Sequence, residues 1–175
     1  QGGPDALIRM GALKNGLTEE ELPDIVKGWR ESNPHIVKLW YNAEKAAITA
    51  VKERRTVKLA HGVQYRYEKN FLFADLPSGR SLAYVRPEIR RDSRFDKDGL
   101  TYEGVDQVKK SWCRQKTYGG KLVENLVQAI ARDCLAVSMM RLAEAGYRIR
   151  LHVHDEVILD VPKEQKDALQ DVVNI

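Results

Sequence analysis

Cysteine is scarce: Cys113 and Cys134 are the only two thiols in 175 residues. They stand alone, without metal-ligand spacing, which excludes a cysteine zinc site and points to a reducing compartment. Histidine is scarce too, and His35 and His61 form no ligand pair. No apolar run approaches the roughly 20 residues that cross a bilayer, and no signal-peptide pattern is present, so a membrane protein is not expected. A P-loop is also missing. Where Gly120-Lys121 would require it, the first glycine is Gln115, and Leu122 stands where Ser or Thr would bind magnesium. What remains is a chain 43% hydrophobic with a net charge of +4. That suits one globular domain, is too short for a multidomain enzyme, and is compatible with a nucleic-acid partner.

In chain order, Leu7, Ile8 and Met10 form a short helical segment stopped by Gly11. Thr18 and Glu21 have capping-box spacing before a helix whose apolar stripe is Leu22, Ile25, Val26 and Trp29. Asn33-Pro34 ends that helix and opens another, with Asn33 as cap. Ile36, Val37, Trp40, Ala43, Ala47 and Val51 carry the second helix to about Glu53. From Thr56 the period changes to two. Strands are expected over 56–59, 63–67, 71–76, 81–85, 100–107 and 111–116, with a tight turn at Pro77-Ser78-Gly79. Arg86–Lys97, holding Arg86, Arg90, Arg91 and Arg94, reads as a charged loop, solvated or phosphate-tracking.

Thr117-Tyr118-Gly119-Gly120 opens a long helix that Gly146 stops. Val123, Val127, Ile130, Cys134, Val137 and the stem of Arg141 trace its expected core side. Lys121, Asn125, Gln128 and Arg132 trace the opposite one, a polar or positive stripe that suits either solvent or a nucleic-acid minor groove. Arg114, on the preceding strand, joins them as a candidate DNA contact.

Arg148–Val161 reads as two strands around Asp155-Glu156. By alternation, Ile149, Leu151 and Val153 fall on one face, and Arg148, Arg150, His152 and His154 on the other. Pro162 ends the second strand. Carboxylates at a hairpin tip are open to a divalent cation, but an Asp-Glu pair between strands is also an ordinary solvated turn. His152-x-His154 with Asp155 suits a zinc-dependent hydrolase as well, although further ligands would be needed.

His154-Asp155-Glu156 in this hairpin resembles motif C of the family A (DNA polymerase I-like) DNA polymerases. Residues 118–133, Tyr-Gly-Gly-Lys-Leu-Val-Glu-Asn-Leu-Val-Gln-Ala-Ile-Ala-Arg-Asp, resemble the long helix preceding motif C in phage-like members, with Gln128 and Asp133 five residues apart. The resemblance is specific over 117–162 and weaker over 1–116. It implies a DNA-directed DNA polymerase of which this is a C-terminal piece: distal fingers over 1–55 and palm over 56–175. Motifs A and B would lie in a missing N-terminal part, leaving the piece inactive alone. Asp155 would be a metal ligand, Glu156 a supporting carboxylate, and His154 a contact to the primer end. Gln128 would read the minor groove of the terminal pair. Implied partners are Mg²⁺, a DNA primer–template and deoxynucleoside triphosphates, in a bacterial or phage-infected cytoplasm. The expected fold is α+β, with long helices on a small antiparallel sheet that includes the 148–161 hairpin. A nucleic-acid-binding module without catalysis is the remaining alternative.

Overall fold

The structure is a computed structural model describing residues 2–92, 96–165 and 167–175. Arg94, one of the expected loop arginines, lies outside the described residues.

Three helices come first: α1 (Pro4–Arg9), α2 (Leu22–Ser32) and α3 (Pro34–Glu53). Glu21 accepts from the Thr18 amide at 2.8 Å and from its hydroxyl at 2.9 Å, closing half of the expected capping box just ahead of α2. Asn33 turns the other way. Its side-chain amide donates to the Trp29 carbonyl at 2.8 Å, so it caps the end of α2 and not the start of α3. Pro34 needs no partner for a missing N–H, so α3 starts without a side-chain cap.

Six strands follow: β1 (Thr56–Lys58), β2 (Gln64–Glu68), β3 (Phe71–Asp75), β4 (Ser81–Asp92), β5 (Lys97–Val105) and β6 (Trp112–Thr117). They pair in sequence order as an antiparallel meander. The segment expected as a charged loop is instead mostly strand. β4 runs through Arg86–Asp92 with a register shift between Val85 and Glu88, and Arg86 has φ +44° there. Pro87 cannot donate to a ladder, and the irregularity is what lets a strand interior hold it.

The long helix α4 (Gly119–Glu144) ends where Gly146 takes φ +86°. A hairpin, β7 (Arg148–Val153) and β8 (Glu156–Asp160), and a last helix, α5 (Ala168–Asn174), complete the chain. The α+β class is as expected, but the hairpin forms its own two-stranded sheet and does not join the meander. The 26 residues of α4 carry the chain roughly 39 Å from the end of β6 before β7 begins.

One hydrophobic cluster joins Ala43, Ala46, Ala47 and Ala50 of α3, Tyr65, Leu72, Tyr84 and Leu100 of the sheet, and Leu122, Val123, Leu126 and Ala129 of α4. Small residues on α3 let it close against both the sheet and α4. The tightest point is Gly119, where an added Cβ would lie 2.0 Å from the Trp40 carbonyl oxygen. The buried stripe of α4 therefore differs from the expected one. Val127, Cys134 and Val137 are exposed. The helix carries apolar residues at helical spacing on two faces, and the approach of α3 at Gly119 selects the Leu122–Leu126–Ala129 face.

Candidate active site and nucleic-acid interface

The tip of the hairpin is a two-residue turn. Val153 pairs with Glu156, so Glu156 already belongs to β8, and His154 and Asp155 make the bend. His154 has φ +52°, unusual for a residue with a Cβ. A positive φ at the first turn position is what a II′ turn requires, and its twist matches that of the flanking strands. Non-glycine residues held in this region store about 1–3 kcal/mol of strain each.

Behind the tip the ladder slips. His152 pairs with Val157 and Leu151 with Ile158, but Ile149 pairs with Leu159 and Arg148 with Asp160. Arg150 is left without a partner in the backbone ladder. Partners share a face, so the slip moves Ile149 to the side of His152, Val157 and Leu159. The expected single face of Ile149, Leu151 and Val153 is thus broken. Leu151 and Val153 lie with Ile158 on the other side, where they are 51%, 43% and 48% exposed. Ile149, Val157 and Leu159 are half-buried. Burial of Ile149 is a tertiary demand, which simple alternation does not contain.

Asp155, Glu156, His152 and His154 are exposed, and none of their side chains makes a hydrogen bond or ion pair with a described residue. Their lone pairs are therefore uncommitted, and two carboxylates are the hard oxygen donors that Mg²⁺ prefers. Among the described residues no three histidine, cysteine or acidic side chains gather as a metal-binding group. The tip can supply part of a coordination shell, and the His152–His154–Asp155 zinc cluster is not assembled.

The expected nucleic-acid stripe divides. Asn125, Gln128 and Arg132 line an open groove of about 480 Å³ with Arg80, Tyr84 and Tyr102. Gln128 and Arg132 are exposed, and the Gln128 side chain makes no hydrogen bond with a described residue. Asn125 donates its side-chain amide to the Tyr84 hydroxyl at 3.1 Å, and that ring packs edge-on against Tyr102 with centroids 5.1 Å apart. Burial pushes the Tyr84 phenol above its usual pKa. Lys121 is half-buried and within electrostatic reach of Asp106.

Arg114 does not join the groove. It ion-pairs with Glu88 and Glu103 at 3.0 Å each and donates to the Arg86 carbonyl at 3.0 Å. Glu103 also accepts from Trp112 and Arg86, both at 3.2 Å, and these partners, Trp112 foremost, hold its carboxyl below the usual range. Arg114 is thereby neutralised within the sheet. Arg90 and Arg91, considered for phosphate tracking, are likewise paired, with Glu88 and Asp96.

The sequence reading missed Arg80. Its guanidinium donates to Asp133 at 2.7 Å and to the Ala129 carbonyl at 3.1 Å, while Ser78 donates to Asp133 at 2.6 Å. The Ser78 hydroxyl, then Arg80, keep the Asp133 carboxyl below the ordinary carboxylate range. The Pro77–Arg80 turn is thereby tied to α4 along one wall of the groove. An acidic residue five positions after Gln128 was the only signal, and its partners lie more than fifty residues away.

Fold and site together define an α+β unit with a carboxylate-tipped hairpin and a polar, helix-lined groove. No family model and no solved structure matches the chain. Over 167 residues, 95% of its length, the chain is 59% identical to a protein of Bacillus phage SP02 named DNA polymerase. It spans 26% of that relative's length. Among the described residues, no helix is long and apolar enough to cross a membrane.

Proposed function

We propose that this chain is part of a DNA-directed DNA polymerase of the family A, phage-like branch, acting in the cytoplasm of a bacterial or phage-infected cell. The observation that carries the reading is the 59% identity, over nearly the whole chain, to a phage protein named DNA polymerase. The motif C-like His154-Asp155-Glu156 turn supports it, because its carboxylates are free for a ligand. Residues 1–55 serve as distal fingers and 56–175 as palm. Asp155 is a metal ligand and Glu156 its weaker neighbour. Asp155, with Glu156 beside it, would hold a magnesium ion, which would supply charge stabilisation where the 3′ oxygen attacks a deoxynucleoside triphosphate and pyrophosphate departs. His154, held at the bend, reaches the primer end. Gln128 donates to minor-groove acceptors shared by all correct pairs, so it tests pair geometry and not sequence. Asn125, Lys121 and Arg132 extend that contact along the duplex. The remaining metal ligands and the nucleotide-binding helix belong to the rest of the polymerase, so the 175 residues alone are inactive.

The test is a chimaera in which these residues replace the matching quarter of the phage relative, assayed by primer extension with Mg²⁺. Extension is expected, and Asp155→Ala should abolish it while shifting the melting temperature by no more than about 1–2 °C, as for other exposed substitutions. Undiminished extension by the Asp155→Ala chimaera would end the assignment of Asp155. If the isolated chain bound primer–template with a salt-dependent affinity while the chimaera stayed inactive, the non-catalytic binding module would be the better account.

A further inference from the structure

The slip in the hairpin ladder leaves Arg150 as an extra residue on β7, and its side chain is not idle. The guanidinium Nε donates to Asp160 Oδ2 at 3.1 Å, and a second guanidinium nitrogen reaches the same oxygen. Asp160 is the partner of Arg148 in the ladder, on the inner side of the slip. The Arg150 guanidinium lowers the Asp160 carboxyl from its ordinary pKa, and the charge of Arg148 adds to this. The extra residue is therefore tethered across the strands to the first pair beyond it.

Without the slip, Arg150 would pair with Leu159 and Ile149 with Asp160. Ile149 would then join Leu151 and Val153 on the exposed face, which is the alternation the sequence itself suggests. Two things oppose that outcome: the half-burial of Ile149 beside Leu159, and the Arg150–Asp160 tether. A bulge also bends its strand and increases the local twist, re-aiming whatever lies beyond it. Beyond this one lie three ladder pairs and the turn with Asp155.

We infer that Arg150 and Asp160 are positioning residues for the tip: their ion pair holds the bulge, and the bulge sets the direction in which Asp155 and Glu156 are presented. This rests on the reading of Asp155 as a metal ligand. Neither residue contacts the ligand, so the effect is one of aim. Exposed ion pairs add little to global stability, which leaves register as their main consequence.

The experiment uses the ¹⁵N-labelled chain and two readouts. Cross-strand nuclear Overhauser contacts report whether Ile149 faces Leu159 or Asp160, and Mn²⁺ broadening of the Asp155 and Glu156 amides reports cation binding at the tip. Arg150→Met is expected to move Ile149 opposite Asp160 and to weaken the Mn²⁺ effect roughly tenfold, as loss of outer positioning partners does at metal sites. Asp160→Asn, closer in shape, should do the same. The exchange Arg150→Asp with Asp160→Arg should restore both readouts, which a general loosening of the hairpin would not do. An unchanged register in both single variants, or a changed register with undiminished broadening, overturns the inference. Broadening that survives Asp155→Ala instead removes the metal reading itself, and the inference with it.

Discussion

In the six-stranded sheet and α4, several carboxylates are bound up with their neighbours. Asp75 accepts from Gln64, Arg66 and Ser81, Glu103 from Trp112 and two arginines, and Asp133 from Ser78 and Arg80. At the tip of the 148–160 hairpin, the carboxylates of Asp155 and Glu156 make no hydrogen bond or ion pair with the described residues. Both regions are antiparallel and rich in Arg and acidic residues, and within the hairpin Asp160 is also paired, to Arg150, yet the acids of the tip are left out of such pairs. Residues whose bonds are all internal have nothing left for a ligand. Residues presented on a strained bend with open lone pairs are dispensable to the fold, and are the ones to examine for chemistry.

The comparison is tested most severely at the sheet end. Gly119→Ala would drive a methyl group into the Trp40 carbonyl, 2.0 Å away, and force α3 and α4 apart. Overpacking of this kind should cost about 3 kcal/mol, lowering the melting temperature by roughly 6–12 °C for a chain of this size. A variant melting within a degree or two of the wild type would show that the helices do not close at this point.

At the hairpin the expected effects are smaller and local. His154→Val places a β-branched residue at φ +52°, which should destabilise the turn by about 1–2 kcal/mol. His154→Gly should leave it intact. Hydrogen exchange at Val153 and Glu156 checks this: faster exchange in the valine variant and little change in the glycine variant. Equal protection in both would mean that the turn does not require the positive φ.

The gentlest probe is pH. The Asp133 carboxyl is held below its unfolded value by Ser78 and Arg80. Its stabilising contribution is therefore complete above the ordinary aspartate range and is lost as pH falls through the depressed native pKa. In Asp133→Asn that component of the acid-side slope should disappear, while the variant is less stable than wild type at neutral pH. Identical slopes below pH 4 would show that the tie between the 77–80 turn and α4 has no thermodynamic weight.

How much of this could be read from sequence depended on whether the cause was local. The start of α3 at Pro34, the end of α4 before Gly146 and the change to strands at Thr56 follow from proline, glycine and side-chain period, and all three are observed. The continuation of β4 through Arg86–Asp92 was hidden because a proline and a run of charges look like a loop, and only β5 beside them makes a strand. The same holds for the surroundings of Arg114, a candidate DNA contact whose ion-pair partners Glu88 and Glu103 lie 26 and 11 residues away in sequence. In α4 two apolar stripes competed, and nothing within the helix could choose between them. At the candidate site, the tip residues were identifiable as a motif, but the bulge that aims them depends on Ile149 being buried from outside the hairpin.

The strand order has a consequence for how fast this chain can fold. Each strand of the meander pairs with the next one in sequence, so the sheet can assemble through a series of short closures, in order, while the chain is still being made. Local pairing of this kind has a low entropic barrier compared with sheets whose neighbours are distant in sequence. A closure that spans the whole meander is the meeting of α3 with α4, where Gly119 lies against Trp40. The slow step should therefore be that docking, with six strands already waiting on α3 when α4 arrives.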